Sequence, residues 1–267
     1  MRNSVEGLNM QIVTIISDFG TRDHYNALLK GTMLNLNSDI QIIDVTHDVD
    51  THDIRQASYF LSAICKKFPK GTIHVVAVNN YYDSNFEIIS FHYKDQFYIG
   101  PNNGIFSLAF DSIDEGQIYK VLCDEAPNNL FNLIAHGVSL ISQKMSITEV
   151  GPPLNNFEKK IDVQPVITND EIRATIIHVD KYENVIVNVH REYFEHIRKN
   201  RNFEIFFKYY NPIVSISHLY SDVPIGEAVC LFNSANYLEI GINMGKAASQ
   251  LDLAKDETIQ IRFINAW

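Results

Sequence analysis

The chain has 267 residues, 46% of them hydrophobic, with a formal net charge of −10 at pH 7, enough apolar content for one large or two moderate globular domains. That acidic balance excludes the clustered Lys and Arg footprint that grips DNA or RNA phosphates, so nucleic acid is not an expected partner. Cys65, Cys123 and Cys230 are far apart in sequence, which excludes a C-x-x-C zinc site or a disulfide framework and fits a reducing cytoplasm.

Residues 1–9 are polar and lack the apolar core of a signal peptide, no run is long enough to span a bilayer, and Met10 is an alternative start. The first structured element is then the run Ile12, Val13, Ile15, Ile16, which ends in Ser17, Asp18, Phe19 and Gly20. This pattern predicts a buried strand that delivers a carboxylate to a loop. Ligands of open α/β sheets bind at the carboxyl ends of strands, so Asp18 is a candidate binding residue, with a turn or capping role as the alternative. The loop carries neither G-x-G-x-x-G nor G-x-x-x-x-G-K-[ST], which favours a ligand without phosphate groups.

Helical spacing follows over 27–36, with Asp23 expected as its N-cap. A strand over 40–45, a helix over 54–68 and a strand over 72–78 continue a βαβ rhythm, and Pro69-Lys70-Gly71 punctuates the helix end. Runs at 87–92 and 96–99 predict a hairpin feeding the turn Pro101-Asn102-Asn103-Gly104, and an apolar helix follows over 130–141. Beyond Gly151-Pro152-Pro153 the helical rhythm gives way to short β-branched and aromatic runs at 174–179, 185–189, 203–209, 228–232, 237–242 and 258–263. The predicted organisation is an α/β domain over 10–157, a linker over 158–170 and a smaller all-β domain over 171–267. The basic stretch 191–201 is broken by acids and aromatics and reads as a solvated face.

Three polar clusters stand out. Residues 46–53 (THDVDTHD) hold two imidazoles and three carboxylates, a composition that suits a divalent cation but suits a strand-to-helix connection capped by Thr51 or Asp53 better, so no metal site is expected. His136 lies one helical turn after Asn132, as a core histidine or a catalytic one. Asp180, Tyr182 and Asn184 fall between two strands, where Asp and Asn also form ordinary turns.

Taken together, SDFGTRDHY at 17–25, IIDVTHDV at 42–49, FPKGTIHVVAV at 68–78, GPNNGIFS at 100–107, VDKYENVIVN at 179–188, YSDVPIGE at 220–227 and NSANYLEIGINMGKAA at 233–248 resemble the S-adenosyl-L-methionine (SAM) hydroxide adenosyltransferases, a family that includes SAM-dependent fluorinases and chlorinases. The resemblance implies an N-terminal α/β domain with a Rossmann-like, mostly parallel sheet and a smaller, barrel-like C-terminal β domain. It further implies a homotrimer with SAM between neighbouring subunits, SAM itself serving as substrate or ligand with no other cofactor. By that resemblance Asp18 holds the ribose hydroxyls and Asp180 the methionine amino group. Asn184 and Ser234 are neighbouring contacts, Tyr220 lines the pocket, and the segment from Asn243 reads adenine.

The family's hydrolytic members use an Asp, an Arg and a His, carried by a D-P-G-V-G-x-E-R loop and an F-H-G-R-D helix start. Aligned on Val76–Val78 and on Phe131, this chain places Asn79, Phe86 and Asn132 at those positions, with Asp83, His52 or His136 as possible substitutes. An amide cannot accept a proton at neutral pH as a carboxylate or imidazole can. Ala235 and Ile242 stand where halogenating members carry arginines. Three activities follow as expectations: altered SAM hydrolysis to adenosine and methionine, non-catalytic binding of SAM or adenosine, or halide transfer, for which the threonine-rich loop is not visible at 79–85.

Overall fold

Strand and helix alternate from the first element: β1 (Gln11–Ser17), α1 (Tyr25–Leu36), β2 (Ile40–Thr46), α2 (Ile54–Ile64), β3 (Ile73–Ala77), β4 (Ile88–Tyr93), β5 (Gln96–Pro101), α3 (Ile105–Ala109), β6 (Ile118–Lys120) and α4 (Leu130–Ser142). The computed structural model describes residues 10–80, 86–124, 129–161, 163–208 and 210–264, and these first elements lie in the first of two units, Met1–Ile161 and Asp162–Trp267. Their strands form one mixed sheet in the order β2-β1-β3-β5-β4-β6, parallel from β2 through β5 and antiparallel at β5-β4 and β4-β6.

β1 and β3 read as apolar runs because both faces of the sheet are covered. On one face Val13, Ile15 and Val75 pack with Leu29 and Met33 of α1 and Leu133 and Ile134 of α4. On the other, Ile16, Val76 and Val78 pack with Ala57 and Leu61 of α2 and Phe106 of α3.

Asp53 caps α2 as expected, accepting the N–H groups of Arg55 and Gln56 at 3.0 Å each. The cap of α1 is His24 and not Asp23, and it makes no side-chain cap bond; the His24 ring stacks on Tyr25, centroids 4.9 Å apart. The α2 helix ends at Ile64 and tightens into a 3-10 turn over Cys65–Lys67. Gln96 Nε2 donates to the Cys65 and Phe68 carbonyls at 2.7 and 3.1 Å, satisfying groups that a longer helix would have used itself.

The second unit comprises β7 (Val166–Ile167), β8 (Glu171–Val179), β9 (Val185–His190), α5 (Arg191–Arg198), β10 (Asn202–Phe206), β11 (Ala228–Phe232), β12 (Tyr237–Ile242), α6 (Ala247–Gln250) and β13 (Thr258–Ile264). The sheet order is β10-β13-β8-β9-β12-β11, with β7 beside β8, and all its pairings are antiparallel. Two helices correct the all-β expectation. The basic stretch also differs from a plain solvated face, because it forms α5 and its cations cover aromatic rings. Phe194 is buried against Phe203 and Phe232, while the Arg198 and Arg201 guanidinium carbons lie 4.9 and 5.2 Å from the Phe203 and Phe263 ring centroids. Among the described residues no helix is long and apolar enough to cross a membrane.

Candidate functional site

The chain leaves β1 for β2 on one side and later places β3 on the other, so the sheet reverses direction between the carboxyl ends of β1 and β3. Crevices at such reversals are where open α/β sheets bind ligands. Asp18 follows β1 and Asn79 follows β3, and the structure brings them together. Asp18 Oδ2 accepts the backbone N–H of His52 at 3.0 Å and of Asn79 at 3.1 Å, and its side chain is 8% exposed. Both donors have left-handed backbones, φ 65° at His52 and 54° at Asn79.

The turn after β5 braces this arrangement. Asn103 Nδ2 donates to the Val78 and Asn79 carbonyls at 3.0 and 3.2 Å, while its Oδ1 accepts the Ile105 N–H at 3.2 Å. Behind Asp18, the buried Ser17 hydroxyl lies 2.7 Å from His47 Nδ1 and donates to Asn26 Oδ1 at 3.3 Å; Asn26 Nδ2 in turn donates to the Gly20 carbonyl. His47 Nε2 is 3.2 Å from Asp44 Oδ1. Burial acts to raise the Asp44 carboxyl, but the Lys30 ammonium and His47 outweigh it and hold it below its usual range. The 46–53 cluster is therefore spent on positioning: His47 faces Ser17, Asp53 caps α2, and the backbone of His52 serves Asp18. Among the described residues no three His, Cys, Asp or Glu side chains gather as ligands for a cation.

Asn132 and His136 meet elsewhere. Together with Thr32 and Leu36 of α1, Cys123 and Glu149 they line a cavity of about 650 Å³. The α4 helix begins at Leu130 as expected, capped by Asn129, whose Oδ1 accepts the N–H groups of Phe131 at 3.0 Å and Asn132 at 3.2 Å. Phe86 packs against the core on the α1 and α4 face of the sheet, and Asp83 lies outside the described residues.

In the second unit Asp180, Asn184 and Tyr220 form one chain. Asp180 Oδ1 accepts the Tyr182 and Asn184 N–H groups at 2.8 Å each, which folds the loop back on itself. The Asn184 amide donates to Asp180 Oδ2 at 3.1 Å and to the Tyr220 hydroxyl at 3.3 Å. Tyr220 then donates to Glu239 Oε1. Burial, with help from Glu239, pushes the Tyr220 phenol up. Burial also raises the Glu239 carboxyl, against hydrogen bonds from Tyr220 and Asn233 that lower it.

Glu183 ties the same loop to the segment after β12. It pairs with Lys246 at 2.8 Å and accepts the Ser249 hydroxyl and, at 3.1 Å, its N–H; Lys246 and Ser249 together hold its carboxyl down at about 2. Asn243 stands apart from the Asp180 chain, its Nδ2 donating to the Val223 carbonyl at 2.8 Å, and Ser234 is exposed on the β11–β12 turn. Sequence reasoning missed Asn103, Glu183 and Glu239. The one available signal was a lone acid in the apolar run Leu238, Ile240, Ile242.

Two sequence profiles match the chain, the SAM hydroxide adenosyltransferase N-terminal domain over residues 13–143 and the C-terminal domain over 174–260. A curated (R)-S-adenosyl-L-methionine hydrolase from Methanocaldococcus jannaschii is 26% identical, covering 94% of this chain and 96% of its own length. A fluorinase from Actinopolyspora mzabensis is 21% identical over the same two shares. The solved structure of an uncharacterized conserved protein from Thermotoga maritima superposes with a TM-score of 0.82 at 23% identity, over 94% of this chain and all of that one.

Proposed function

The chain belongs to the SAM hydroxide adenosyltransferase family, and from that premise we propose that it binds SAM, or a related 5′-substituted adenosine, and catalyses displacement at C5′ by water to give adenosine and methionine. The observation that carries the reading is Asp18 at the sheet reversal, with Oδ2 held by two amides. An ionised carboxylate is acceptor-only and suits a pair of ribose hydroxyls, and no phosphate cradle competes for the site. Asp180 takes the ligand's ammonium, with Asn184, Tyr220, Ser234 and Asn243 at the surrounding contacts. The sheet reversal supports a Rossmann-like N-terminal unit, and the antiparallel sheet a barrel-like C-terminal one. A homotrimer in the cytoplasm, with the ligand between neighbouring subunits, completes the proposal.

In the reaction a water oxygen attacks C5′, the C5′–S bond breaks with its electron pair going to sulfur, and the water's proton passes to solvent. Sulfur leaves as a neutral thioether, so the electrophile is already activated and a dry pocket favours the loss of charge. Positioning of water then matters more than general-base strength. Asn79 contributes its backbone to Asp18. The Asn129 cap offers a second register for the helix-opening motif, over 125–129, in which Ala126 takes the histidine position. Neither register supplies an imidazole.

A second reading, a non-catalytic binder of SAM or adenosine, is favoured by one observation: the half-buried Phe86, at the position of the family's arginine, packs its ring against the α1 and α4 face of the sheet and brings no charge there. Titration calorimetry with SAM and adenosine, followed by chromatography of the mixture, separates the two. Release of adenosine and methionine supports hydrolysis, binding without release supports the binder, and product formation only with added fluoride or chloride supports the halogenase.

A further inference from the structure

β12 carries an acid where its neighbours are apolar. Glu239 is 5% exposed, and stands opposite Leu231 of β11 and Ile186 of β9. Burying a carboxyl there costs free energy that a leucine would not unless hydrogen bonds compensate it. Glu239 accepts from Asn233 and from Tyr220, and through Tyr220 it reaches Asn184. Both Asn184 N–H groups are committed, one to Asp180 Oδ2 and one to the Tyr220 oxygen, and the Tyr220 proton is committed to Glu239 Oε1. One line of donors thus runs from Asn184 through Tyr220 to Glu239, while the second amide N–H goes to Asp180. Remove the final acceptor and the Tyr220 hydroxyl is free to turn its proton elsewhere, which loosens its hold on Asn184 and leaves the amide with the Asp180 bond alone. Space for the arrangement comes from Gly241, since a Cβ there would lie 2.9 Å from Tyr220 Cε1 and 3.0 Å from Asn184 Oδ1.

Building on the adenosyl-binding reading, we propose that Glu239 is a positioning residue that, through Tyr220, fixes the orientation of the Asn184 amide so that Asn184 and Asp180 together present only acceptor oxygens to the ligand. The ligand group that meets them is accordingly a donor, an ammonium or an exocyclic amine. Glu239 acts without touching the ligand. The charge on Asp180 reaches both members, acting to raise Tyr220 and Glu239 alike, as expected of groups sharing one electrostatic environment.

The test is titration calorimetry with SAM on the full-length protein, alongside melting temperatures, for wild type, Glu239→Gln, Glu239→Leu and Tyr220→Phe. The Gln amide oxygen still accepts from Tyr220, so its Kd should stay within about threefold of wild type, whereas Leu and Phe each weaken binding by about tenfold, the equivalent of one lost hydrogen bond. The Tyr220→Phe, Glu239→Leu double variant should be no weaker than the worse single one, because both break one chain. Wild-type affinity in folded Glu239→Leu, or a loss in Glu239→Gln equal to that in Glu239→Leu, overturns the proposal. Should Glu239→Leu fail to fold, Tyr220→Phe decides, and a wild-type Kd there overturns the chain. A wild type that binds neither SAM nor adenosine overturns the functional reading itself, which is a separate outcome from a wild type that binds while the variants match it.

Discussion

Asp18 Oδ2 accepts the Asn79 N–H at 3.1 Å, tying the ends of the parallel neighbours β1 and β3 at the point where the sheet reverses. The same oxygen holds His52, so one carboxylate fixes two loops. Asp18→Ala leaves two inward-facing amides without their charged acceptor and should lower stability by about 2–3 kcal/mol. Asp18→Asn keeps an acceptor oxygen and should cost about half as much, since the charge assistance is lost but the bonds are not. Urea denaturation of the two variants measures the difference; no loss in Asp18→Ala would mean the amide bonds carry no weight, and equal losses that a neutral acceptor cannot replace the charge.

Asn79 reaches Asp18 through its backbone, with φ 54°, and not through its amide group. Asn79→Gly should therefore fold with stability within about 1 kcal/mol of wild type, whereas the β-branched Asn79→Val, forced into a left-handed backbone, should lose about 1–3 kcal/mol. Thermal unfolding of both variants checks the ordering.

His74 is buried in β3, 2.7 Å from the Thr14 hydroxyl and stacked on Tyr98 with centroids 5.2 Å apart. Burial pushes its imidazole down to about 4, from an ordinary value of 6.5. The folded state thus binds fewer protons than the unfolded one between those values, so stability is fully present above 6.5 and is lost as pH falls through 6.5 toward 4. The loss should reach about 3 kcal/mol. Denaturation curves across this range should show a slope that disappears in His74→Phe.

Glu183 bridges the Asp180 loop and α6 through Lys246 and Ser249. Glu183→Gln should accelerate amide hydrogen exchange at Ala248 and Ser249 while leaving β3 unchanged, because the bond that tethers this segment is charge-assisted. Exchange that rises equally in both places would indicate general destabilisation.

The α/β half was legible because its signals are local. Ile54, Ala57 and Leu61 recur at helical spacing, Asp53 stands at the cap, and Asp18 follows an apolar run at a strand end. The α5 helix was not legible, since Phe194 is its one buried residue and a single anchor makes no apolar stripe. Glu239 was hidden for a different reason: in sequence it looks like one polar residue in a strand, and only the pairing of β9, β11 and β12 buries it beside Tyr220. The contact between Asp18 and Asn79 joins residues 61 positions apart, beyond the reach of any local pattern.

The central claim is that Asp18 anchors an adenosyl ligand whose C5′ is attacked by water. It is tested most directly by incubating purified protein with SAM and quantifying adenosine and methionine, in wild type and in Asp18→Ala. The account predicts equal amounts of both products from the wild type, with at least about a hundredfold loss in the folded variant, of the order expected when a positioning contact is removed. SAM bound by the wild type but recovered intact, or equal turnover in the two proteins, would contradict it.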